Sequence, residues 1–387
     1  MTDAPRAWMV AGAQLRLIID GPARLAQYLA TIAGAARNIR LITYNFVDDA
    51  AGRAVLDALL AARGRGVDVR LIIDSFGSST TSAALFAPLV EAGAQLHWFS
   101  GRWSNRYLIR NHQKLLVADE NVAVIGGFNI ADAYFAAADV PTGWRDLGLW
   151  VEGDFAGVTA RWFDILFDWA RRDTRKWRDL TRAIRNFDGG DGAICLRLGG
   201  PTARLSPWAQ ALRRAMQGAR RLHISTAYFS PNRSVIRRIG AAGLAGQARL
   251  ILPARSDNPA TVGASRLLYG YLMKRGVAVY EFTPSLLHNK IIIADEHVFL
   301  GSANFDMRSL YINVELMVEV TDAAFAAGCR ALVAHQATAE STQITPQLHA
   351  SRAGWLNRLR WIASWLIVAV VDYGVARRLN FGLPKRD

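Results

Sequence analysis

Cysteine and acidic residues are scarce in this sequence of 387 residues, and long apolar runs are absent. Its two cysteines, Cys195 and Cys329, are too few for a disulfide framework, so a reducing compartment is permitted. Neither cysteine has the spacing of a metal ligand, and no Cys/His cluster predicts zinc. No stretch reaches the roughly 20 apolar residues that a membrane-spanning helix needs. The start of the chain also lacks the features of a signal peptide.

Acidic residues are outnumbered by basic ones, 32 to 46, which gives a net charge of +14. Such an excess predicts a polyanionic partner, either nucleic acid or an anionic membrane surface. Twelve tryptophans favour the membrane, because tryptophan prefers the membrane–water interface, although many will belong to the core. A hydrophobic content of 51% excludes a disordered chain, and the length allows two domains or one domain built from two halves.

One short pattern occurs twice, with a histidine and a lysine two residues apart, an aspartate five residues later, then two small residues and an asparagine. The first copy consists of His112, Lys114, Asp119, Gly126, Gly127 and Asn129, and the second of His288, Lys290, Asp295, Gly301, Ser302 and Asn304. His, Lys and Asp have the same spacing in both copies, and with usage near 5% for each residue type three such positions recur by chance on the order of once per 10,000 starts. The small residues and the asparagine follow in both copies, one residue closer in the second. The two copies therefore indicate an internal repeat with a shared function.

The residue types of this pattern indicate phosphodiester chemistry. Apolar runs after each lysine predict buried strands, on which His and Lys at i and i+2 point to the same face. A neutral imidazole can attack an electrophile, and an ammonium beside it binds an anion. The small residues Gly127 and Ser302 let backbone approach a phosphate closely, and Asn129 and Asn304 add amide donors. Two such sets facing each other predict one histidine as nucleophile and one as general acid.

These motifs resemble the phospholipase D superfamily, and in particular its bacterial cardiolipin synthase branch. The second copy continues as GSANFDMRSLYINVE, which fits that branch's G-S-x-N-x-D-x-R-S-x-x-x-N-x-E pattern at every fixed position. The matching residues of the first copy are Arg110, His112, Lys114, Gly126, Gly127, Asn129, Ile130, Asp132 and Tyr134, followed by Trp144–Arg145–Asp146. The resemblance covers roughly residues 10–335. Gln113 and Ala133 depart from the residues that many members carry, which puts substrate preference in question.

The resemblance implies an α/β fold with two pseudo-symmetric halves. Each half is expected to be a mixed β-sheet flanked by helices, with the active site at the seam. The predicted boundaries are a first half at 1–185, a linker at 186–192, a second half at 193–340 and a membrane-associating tail at 341–387. Independently of the motifs, Thr43–Phe46 aligns with Thr226–Phe229, which supports the repeat.

The resemblance also implies roles. His112 is expected to form the covalent phosphohistidine and His288 to act as acid and then base, although the near symmetry leaves the reverse open. By position in the family pattern, Asp146 is expected to orient His112, and Glu315 to orient His288. Lys114, Lys290, Asn129 and Asn304 should hold the phosphoryl oxygens. Asp119 and Asp295 complete the catalytic motif, but a structural role is favoured for both. The two lysines supply the cations, so no metal or other cofactor is expected.

Three further segments carry predictions. Residues 161–185 predict one long helix with a basic second half, which is either a solvated face or, with Trp162, Trp169 and Trp177, a face that binds an anionic surface. The polar loop 254–259 resembles a loop that borders the active site in the family, and is equally consistent with a helix N-cap. In the tail, the uncharged run Trp361–Val371 is flanked by Arg358, Arg360, Arg377 and Arg378. This pattern favours an in-plane interfacial anchor over a helix packed on the core.

The expected function is therefore phosphatidyl transfer between anionic phospholipids, with phosphatidylglycerol as the expected substrate. Hydrolysis of phospholipids is an alternative, because water and alcohols compete for the same intermediate. A nuclease is disfavoured, since superfamily nucleases carry one motif per chain. Lacking the N-terminal spans of many cardiolipin synthases, the chain resembles the shorter, peripheral members, expected on the cytoplasmic side of a bacterial inner membrane. The sequence does not indicate an oligomeric state.

Overall fold

The computed structural model describes residues 7–99, 109–202 and 205–372. Arg377 and Arg378, predicted to flank the anchor, lie outside these residues.

The first half of the chain alternates strands and helices in the order that its apolar periodicity predicts. Its strands are β1 (Ala7–Val10), β2 (Ala13–Ile18), β3 (Asn38–Thr43), β4 (Asp68–Asp74), β5 (Gln95–Phe99), β6 (Leu115–Ala118), β7 (Val122–Gly126), β8 (Trp144–Arg145) and β9 (Gly148–Glu152). Its helices are α1 (Gly21–Ala33), α2 (Ala50–Gly64), α3 (Ala87–Glu91, after a 3-10 turn at Ala83–Phe86), α4 (Asp132–Phe135), α5 (Phe155–Ala170) and α6 (Trp177–Asn186).

The second half repeats this alternation and adds the C-terminal helices. Its strands are β10 (Ile194–Gly199), β11 (Arg221–Thr226), β12 (Phe229–Ser230), β13 (Gln247–Pro253), β14 (Val277–Phe282), β15 (Leu286–Leu287), β16 (Lys290–Ala294), β17 (His297–Gly301), β18 (Phe305–Asp306), β19 (Glu315–Thr321) and β20 (Ser341–Ile344). Its helices are α7 (Pro207–Ala215), α8 (Arg233–Ala245), α9 (Pro259–Met273), α10 (Met307–Tyr311), α11 (Ala323–Ala339), α12 (Pro346–Arg352) and α13 (Trp355–Trp365), followed by a π-helical segment at Leu366–Asp372.

Two eight-stranded sheets form the framework, in the orders β1-β2-β9-β7-β6-β3-β4-β5 and β10-β19-β17-β16-β11-β13-β14-β20. The orders correspond strand for strand from β2 to β5 and from β10 to β14, and each sheet adds one edge strand. In both sheets the strands before and after the first βαβ crossover are parallel and the motif strand is antiparallel to its neighbours. The predicted fold of two pseudo-symmetric halves with mixed sheets is confirmed.

The motif hairpins of the two halves differ by one residue in their turns. Three residues, Asp119–Asn121, join β6 to β7, whereas two, Asp295 and Glu296, join β16 to β17. The first turn places Asp119 and Glu120 at φ of 55° and 58°, and the second places Asp295 at 52°. Aspartate tolerates this left-handed region better than most residues do.

The largest hydrophobic core joins the halves, with side chains from both sheets packed around α5 and α11. The single long helix predicted over 161–185 is wrong, because α5 ends at Ala170 and α6 begins at Trp177. Asp173 and Thr174 lie in the break, and both are residue types that favour turns over helix interiors. Trp162 and Trp169 are buried in the core, so they are not part of a face that binds an anionic surface.

The C-terminal helix α13 packs on α9 through one face only. Trp361 is buried there and stacks on His349 with ring centroids 5.4 Å apart. Gly263 of α9 permits the close approach, since a Cβ at this position would lie 2.8 Å from the Cβ of Ser364. The opposite face exposes large apolar side chains, namely Trp355, Leu356, Leu359, Ile362, Leu366, Ile367 and Val371. Within the described residues, every helix is too short or too polar to cross a bilayer.

Candidate active site

Each motif histidine is held by backbone from the opposite half. The amide of His112 donates to the carbonyl of Val314 at 2.9 Å, and the amide of Val314 donates to the carbonyl of Arg110 at 2.8 Å. On the other side, β15 pairs in parallel with β8, and the amide of His288 donates to the carbonyl of Arg145 at 2.8 Å. The residues that follow these partners in the chain are Glu315 and Asp146. The seam therefore brings each histidine next to a carboxylate of the other half.

The histidine–carboxylate pairs are accordingly crossed. Nδ1 of His112 lies 3.1 Å from Oε2 of Glu315, and Nδ1 of His288 lies 2.5 Å from Oδ2 of Asp146. The predicted pairs, Asp146 with His112 and Glu315 with His288, are wrong. The sequence suggested the carboxylate of the same half, but the strand pairing across the seam exchanges the partners. A carboxylate on Nδ1 leaves Nε2 of each ring to face the substrate, and Nε2 of His288 lies 3.2 Å from Nζ of Lys290.

Both carboxylates are held in place by further hydrogen bonds. The hydroxyl of Ser302 donates to Oε2 of Glu315 at 2.5 Å and accepts from the amide of Leu316 at 3.0 Å. The sequence predicts that Ser302 binds phosphate, whereas the structure directs its hydroxyl to Glu315, so it positions that carboxylate. On the other side, Oδ1 of Asp146 accepts from the amide of Leu147 at 2.7 Å, and the buried Arg24 donates to the backbone carbonyl of Asp146 at 2.7 Å.

Both lysines are buried beside their histidines. Nζ of Lys114 donates to the carbonyl of His112 at 2.6 Å, and Nζ of Lys290 donates to that of His288 at 2.8 Å. Burial lowers the pKa of Lys114 to about 7 and that of Lys290 to about 8, although Glu315 and Asp146 oppose the shift. A bound anionic substrate would raise both pKa values again, so a phosphate in the site favours the protonated form of each lysine.

Burial also lowers the pKa of both motif histidines. That of His288 falls to about 4, with Lys290 adding to the effect of burial, and that of His112 is lowered despite Glu315. Both rings are therefore neutral near pH 7 when no anion is bound. For Asp146 and Glu315, burial raises the pKa, but the adjacent histidine and lysine outweigh it, so both carboxyls are ionised. A neutral ring that donates to a carboxylate has a nucleophilic Nε2.

The remaining predicted phosphate-binding residues lie at the same seam. Asn129 and Asn304 are buried, and Oδ1 of Asn129 accepts from the amide of Asn45 at 3.3 Å, which leaves its NH₂ group as a donor. Gly127 is pressed against the second motif, since a Cβ there would lie 2.8 Å from Oδ1 of Asp146 and 2.9 Å from Cδ of Lys290. The absence of a side chain at Gly127 thus makes room for Asp146 and Lys290, which lie beside His288.

The two motif aspartates lie at the far ends of the motif strands. Asp119 accepts hydrogen bonds from the amides of Ala36, Arg37 and Asn38, at 2.7–2.9 Å. Asp295 accepts from the amides of Arg220 and Arg221, the latter at 2.9 Å. Each carboxylate thereby ties the motif turn to the start of the neighbouring strand. These are the contacts of a structural role, and the structure does not bring either aspartate to the histidines.

Several aromatic side chains of the site were not identified from the sequence as functional. Tyr44 meets His112 edge-on with ring centroids 5.0 Å apart. Tyr134 and Trp144 stack on each other, and both meet His288 edge-on at 5.1 and 5.0 Å. Tyr134 and Trp144 lie in the family motifs, and Tyr44 lies in the repeated Thr43–Phe46 segment, so a signal was present. Sequence alone did not show that these rings pack against the catalytic imidazoles.

The loop after β4 is tied to the first motif by a buried carboxylate. Asp74 accepts from the amides of Phe76 and Gly77, both at 2.9 Å, and from the amide of Asn111 at 2.8 Å. Asn111 immediately precedes His112, so Asp74 positions the catalytic histidine. Burial raises the pKa of Asp74 to about 6.

Gln113, considered as a determinant of substrate preference, points away from the site. Its side chain is fully buried, and its Oε1 accepts from Nε1 of Trp162 at 2.7 Å. Alternation of side chains along the segment that leads into β6 explains this, because Gln113 lies between His112 and Lys114, which both face the seam.

Within residues 7–99, 109–202 and 205–372, no group of three or more His, Cys, Asp or Glu side chains is arranged to hold a metal ion.

Comparison with known proteins identifies the family. The family described as "Cardiolipin synthase, PLD-like domain" matches residues 28–141 and 210–335. A cardiolipin synthase A of Pseudomonas putida F1 is 30% identical over 354 residues, which cover 88% of this chain and 73% of that protein. A cardiolipin synthase of Listeria monocytogenes is 28% identical over 361 residues, covering 89% and 73%.

Solved structures show the same fold at low sequence identity. The phosphatidylserine synthase of Haemophilus influenzae Rd KW20 superposes with a TM-score of 0.74 at 12% identity, over 92% of this chain and 95% of that one. The polyphosphate kinase of Porphyromonas gingivalis gives 0.59 at 15% identity, over 88% and 49%. With these matches, the chain belongs to the cardiolipin synthase family of phospholipase D-like domains and is an enzyme of the phospholipase D type.

Proposed function

We propose that the protein is a phosphatidyltransferase that joins two phosphatidylglycerol molecules into cardiolipin and glycerol through a covalent phosphohistidine. One observation carries this proposal: two His–Lys–Asn sets share one site, and each histidine is completed by a carboxylate of the other half. The relatives named cardiolipin synthase support the choice of reaction.

In the first step, Nε2 of His112 attacks the phosphorus of the donor lipid. The P–N bond forms as the P–O bond to the glycerol headgroup breaks, and His288 supplies the proton to the departing oxygen. Glu315 stabilises the positive charge that develops on His112, and Asp146 does the same for His288. His288 gains its proton in the complex, because the bound phosphodiester anion raises its lowered pKa.

In the second step, a headgroup hydroxyl of the acceptor lipid attacks the same phosphorus. The new P–O bond forms as the P–N bond to His112 breaks, and His288 takes the proton of the hydroxyl. Lys114, Lys290, Asn129 and Asn304 stabilise the charge on the phosphoryl oxygens in both transition states. A charge-assisted hydrogen bond contributes about 1.5–3 kcal/mol, so loss of one lysine should slow the reaction by roughly one to two orders of magnitude.

We further propose that the protein acts as a peripheral enzyme on the cytoplasmic face of a bacterial inner membrane. The exposed apolar face of α13 would lie in the interface, and the exposed arginines of this helix, Arg358 and Arg360, would meet anionic headgroups. The net charge of +14 supports the same surface.

The decisive experiment incubates the protein with phosphatidylglycerol vesicles whose phosphatidyl group is labelled, and identifies the products. Cardiolipin with free glycerol is expected. Phosphatidic acid as the sole lipid product would assign a hydrolase instead, and cleavage of DNA without lipid turnover would overturn the proposal. His112→Ala should be inactive, whereas His335→Ala, at an exposed histidine outside the site, should keep wild-type activity.

A further inference from the structure

The two halves differ at the mouth of the site, in the loops that follow the corresponding strands β4 and β13. Four residues after β4 lies Ser78, which is buried, and whose hydroxyl accepts from the amide of Phe46 at 3.0 Å. Four residues after β13 lies Asp257, which is exposed, and whose Oδ1 accepts from the phenol of Tyr228 at 2.7 Å. The first half thus closes this loop on its own backbone, whereas the second half presents a carboxylate.

Tyr228 fixes this carboxylate to the His288 side of the site. The residue before it, Ala227, donates its amide to the carbonyl of Asn289 at 3.1 Å, between His288 and Lys290. The carbonyl of Tyr228 accepts from the amide of Phe305 at 3.2 Å, directly after Asn304. Burial is the main cause of the lowered pKa of Lys290, and Asp257 is among the carboxylates that oppose it, so its charge reaches the phosphate-binding groups.

Hydrogen bonds within the loop hold Asp257 in place. The hydroxyl of Ser256 donates to Oδ1 of Asp257 at 2.9 Å and accepts from the amide of Asn258 at 3.1 Å. The side chain of Asn258 in turn caps α9 by accepting from Ala260. Oδ1 of Asp257 therefore receives two hydrogen bonds, while Oδ2 forms none with the residues that the structure describes. A carboxylate oxygen at this position can accept a hydrogen bond from a ligand but repels a second phosphate.

We propose that Asp257, held by Tyr228, binds a hydroxyl group of the glycerol headgroup and thereby selects polyol acceptors over monohydric alcohols. This inference rests on the proposed function, in which His288 serves the departing and the entering alcohol. The reacting hydroxyl of the headgroup gives its proton to His288, and a second hydroxyl of the same headgroup donates to Oδ2 of Asp257. Both halves supply groups that bind phosphate, whereas only the second half presents a carboxylate in this loop, and that carboxylate recognises the alcohol.

The test compares two acceptors competing for the same intermediate. Phosphatidylglycerol vesicles are incubated with labelled glycerol, which exchanges into the lipid, or with 1-propanol, which forms phosphatidylpropanol. In Asp257→Asn the ratio of kcat/KM for glycerol to that for propanol should fall about tenfold, the size expected from one charge-assisted hydrogen bond. Tyr228→Phe should lower the ratio in the same direction by less, because the carboxylate remains but is no longer held. Asp173→Asn, at an exposed aspartate of the α5–α6 connection, is the matched control.

The outcomes separate this inference from the proposed function. A wild-type protein that transfers to both alcohols, with a ratio that Asp257→Asn leaves unchanged, would overturn the role of Asp257 alone. An equal loss for both acceptors in both variants would do the same, since it would indicate a structural role. A wild-type protein that transfers to neither alcohol would overturn the proposed function, and this inference with it.

Discussion

Nδ1 of His288 lies 2.5 Å from Oδ2 of Asp146, a residue 142 positions earlier in the chain and in the other half of the fold. The reciprocal pair joins His112 to Glu315 over 203 positions. Neither half therefore contains a complete histidine–carboxylate pair of its own. The seam is the place where the catalytic groups are assembled, and both halves have to be folded and docked before either histidine is oriented.

The crossed pairs predict which histidine each carboxylate serves. Asp146→Asn should slow transfer by about 10²–10⁴-fold, because the amide no longer stabilises a protonated His288. Glu315→Gln should slow the formation of the covalent adduct itself, because it acts on His112. Single-turnover measurements with labelled phosphatidylglycerol would measure adduct formation separately from the following transfer, and Asp146→Asn should slow both because His288 acts in both. If Glu315→Gln left adduct formation unchanged, the functional pairs would not be those of the structure.

The architecture was accessible from the sequence because its signals are local or repeated. The apolar runs around Leu115–Val117 and Ile291–Ile293 identify strands, and the duplicated motif implies two similar halves. The exchange of Asp146 and Glu315 could not be read in this way, since it depends on the pairing of β8 with β15, two short strands far apart in the chain. The break between α5 and α6 was missed although it is a local feature, because the charged residues around Asp173 resemble an ordinary solvated helix face.

The roles of the two histidines are predicted by the fate of the adduct. His112→Ala should form no phosphatidyl–enzyme adduct, because the nucleophile is missing. His288→Ala should accumulate the adduct slowly, because no base activates the incoming alcohol. Labelled lipid retained on the denatured protein is the measure. An adduct found only in His112→Ala would reverse the roles of the two histidines. Variants that form no adduct and yet keep full activity would rule out the covalent mechanism.

The buried lysines predict a loss of activity at alkaline pH. The pKa values of Lys114 and Lys290 are lowered by burial to about 7 and 8, and the protonated forms bind phosphate. The kcat/KM should therefore fall as the pH rises from 7 to 9. Unfolding is not the cause, because the unfolded chain binds more protons at these lysines in this window, so their contribution to stability rises with pH. In Lys114→Arg the side chain stays charged, so the fall in kcat/KM that begins near pH 7 should disappear. A wild-type kcat/KM that stays constant up to pH 10 would contradict the role of the protonated lysines in binding phosphate.

The contact between Gly127 and the second motif predicts that even one methyl group is harmful. In Gly127→Ala the new Cβ would lie 2.8 Å from Oδ1 of Asp146, so the carboxylate or Lys290 must shift. Since displacements of about 1 Å can cost about 10²-fold in rate, kcat should fall by that order. Gly64→Ala, where a Cβ would meet nothing within 4 Å, is the matched control. Equal activity in the two variants would show that the site tolerates the shift.

The two faces of α13 predict separate effects on membrane binding and on stability. Leu356 and Leu359 are more than half exposed, at 53% and 56%, whereas Trp361 is buried against α9. Leu356→Glu combined with Leu359→Glu should weaken binding to phosphatidylglycerol vesicles, since each change removes apolar area from the interface and adds a charge that anionic lipids repel. The thermal unfolding midpoint should stay near that of the wild type. Trp361→Ala should instead lower the midpoint, because truncating a buried aromatic side chain costs about 3–5 kcal/mol.

A control for this experiment lies on α8, where Leu244 is 71% exposed. Leu244→Glu makes the same chemical change on another surface and should leave vesicle binding intact. Binding of the wild type should weaken with salt but persist, because salt screens the arginines and leaves the apolar contribution. If the double leucine variant and Leu244→Glu bind vesicles equally well, the exposed face of α13 does not touch the membrane, and another surface of this basic protein must hold it there.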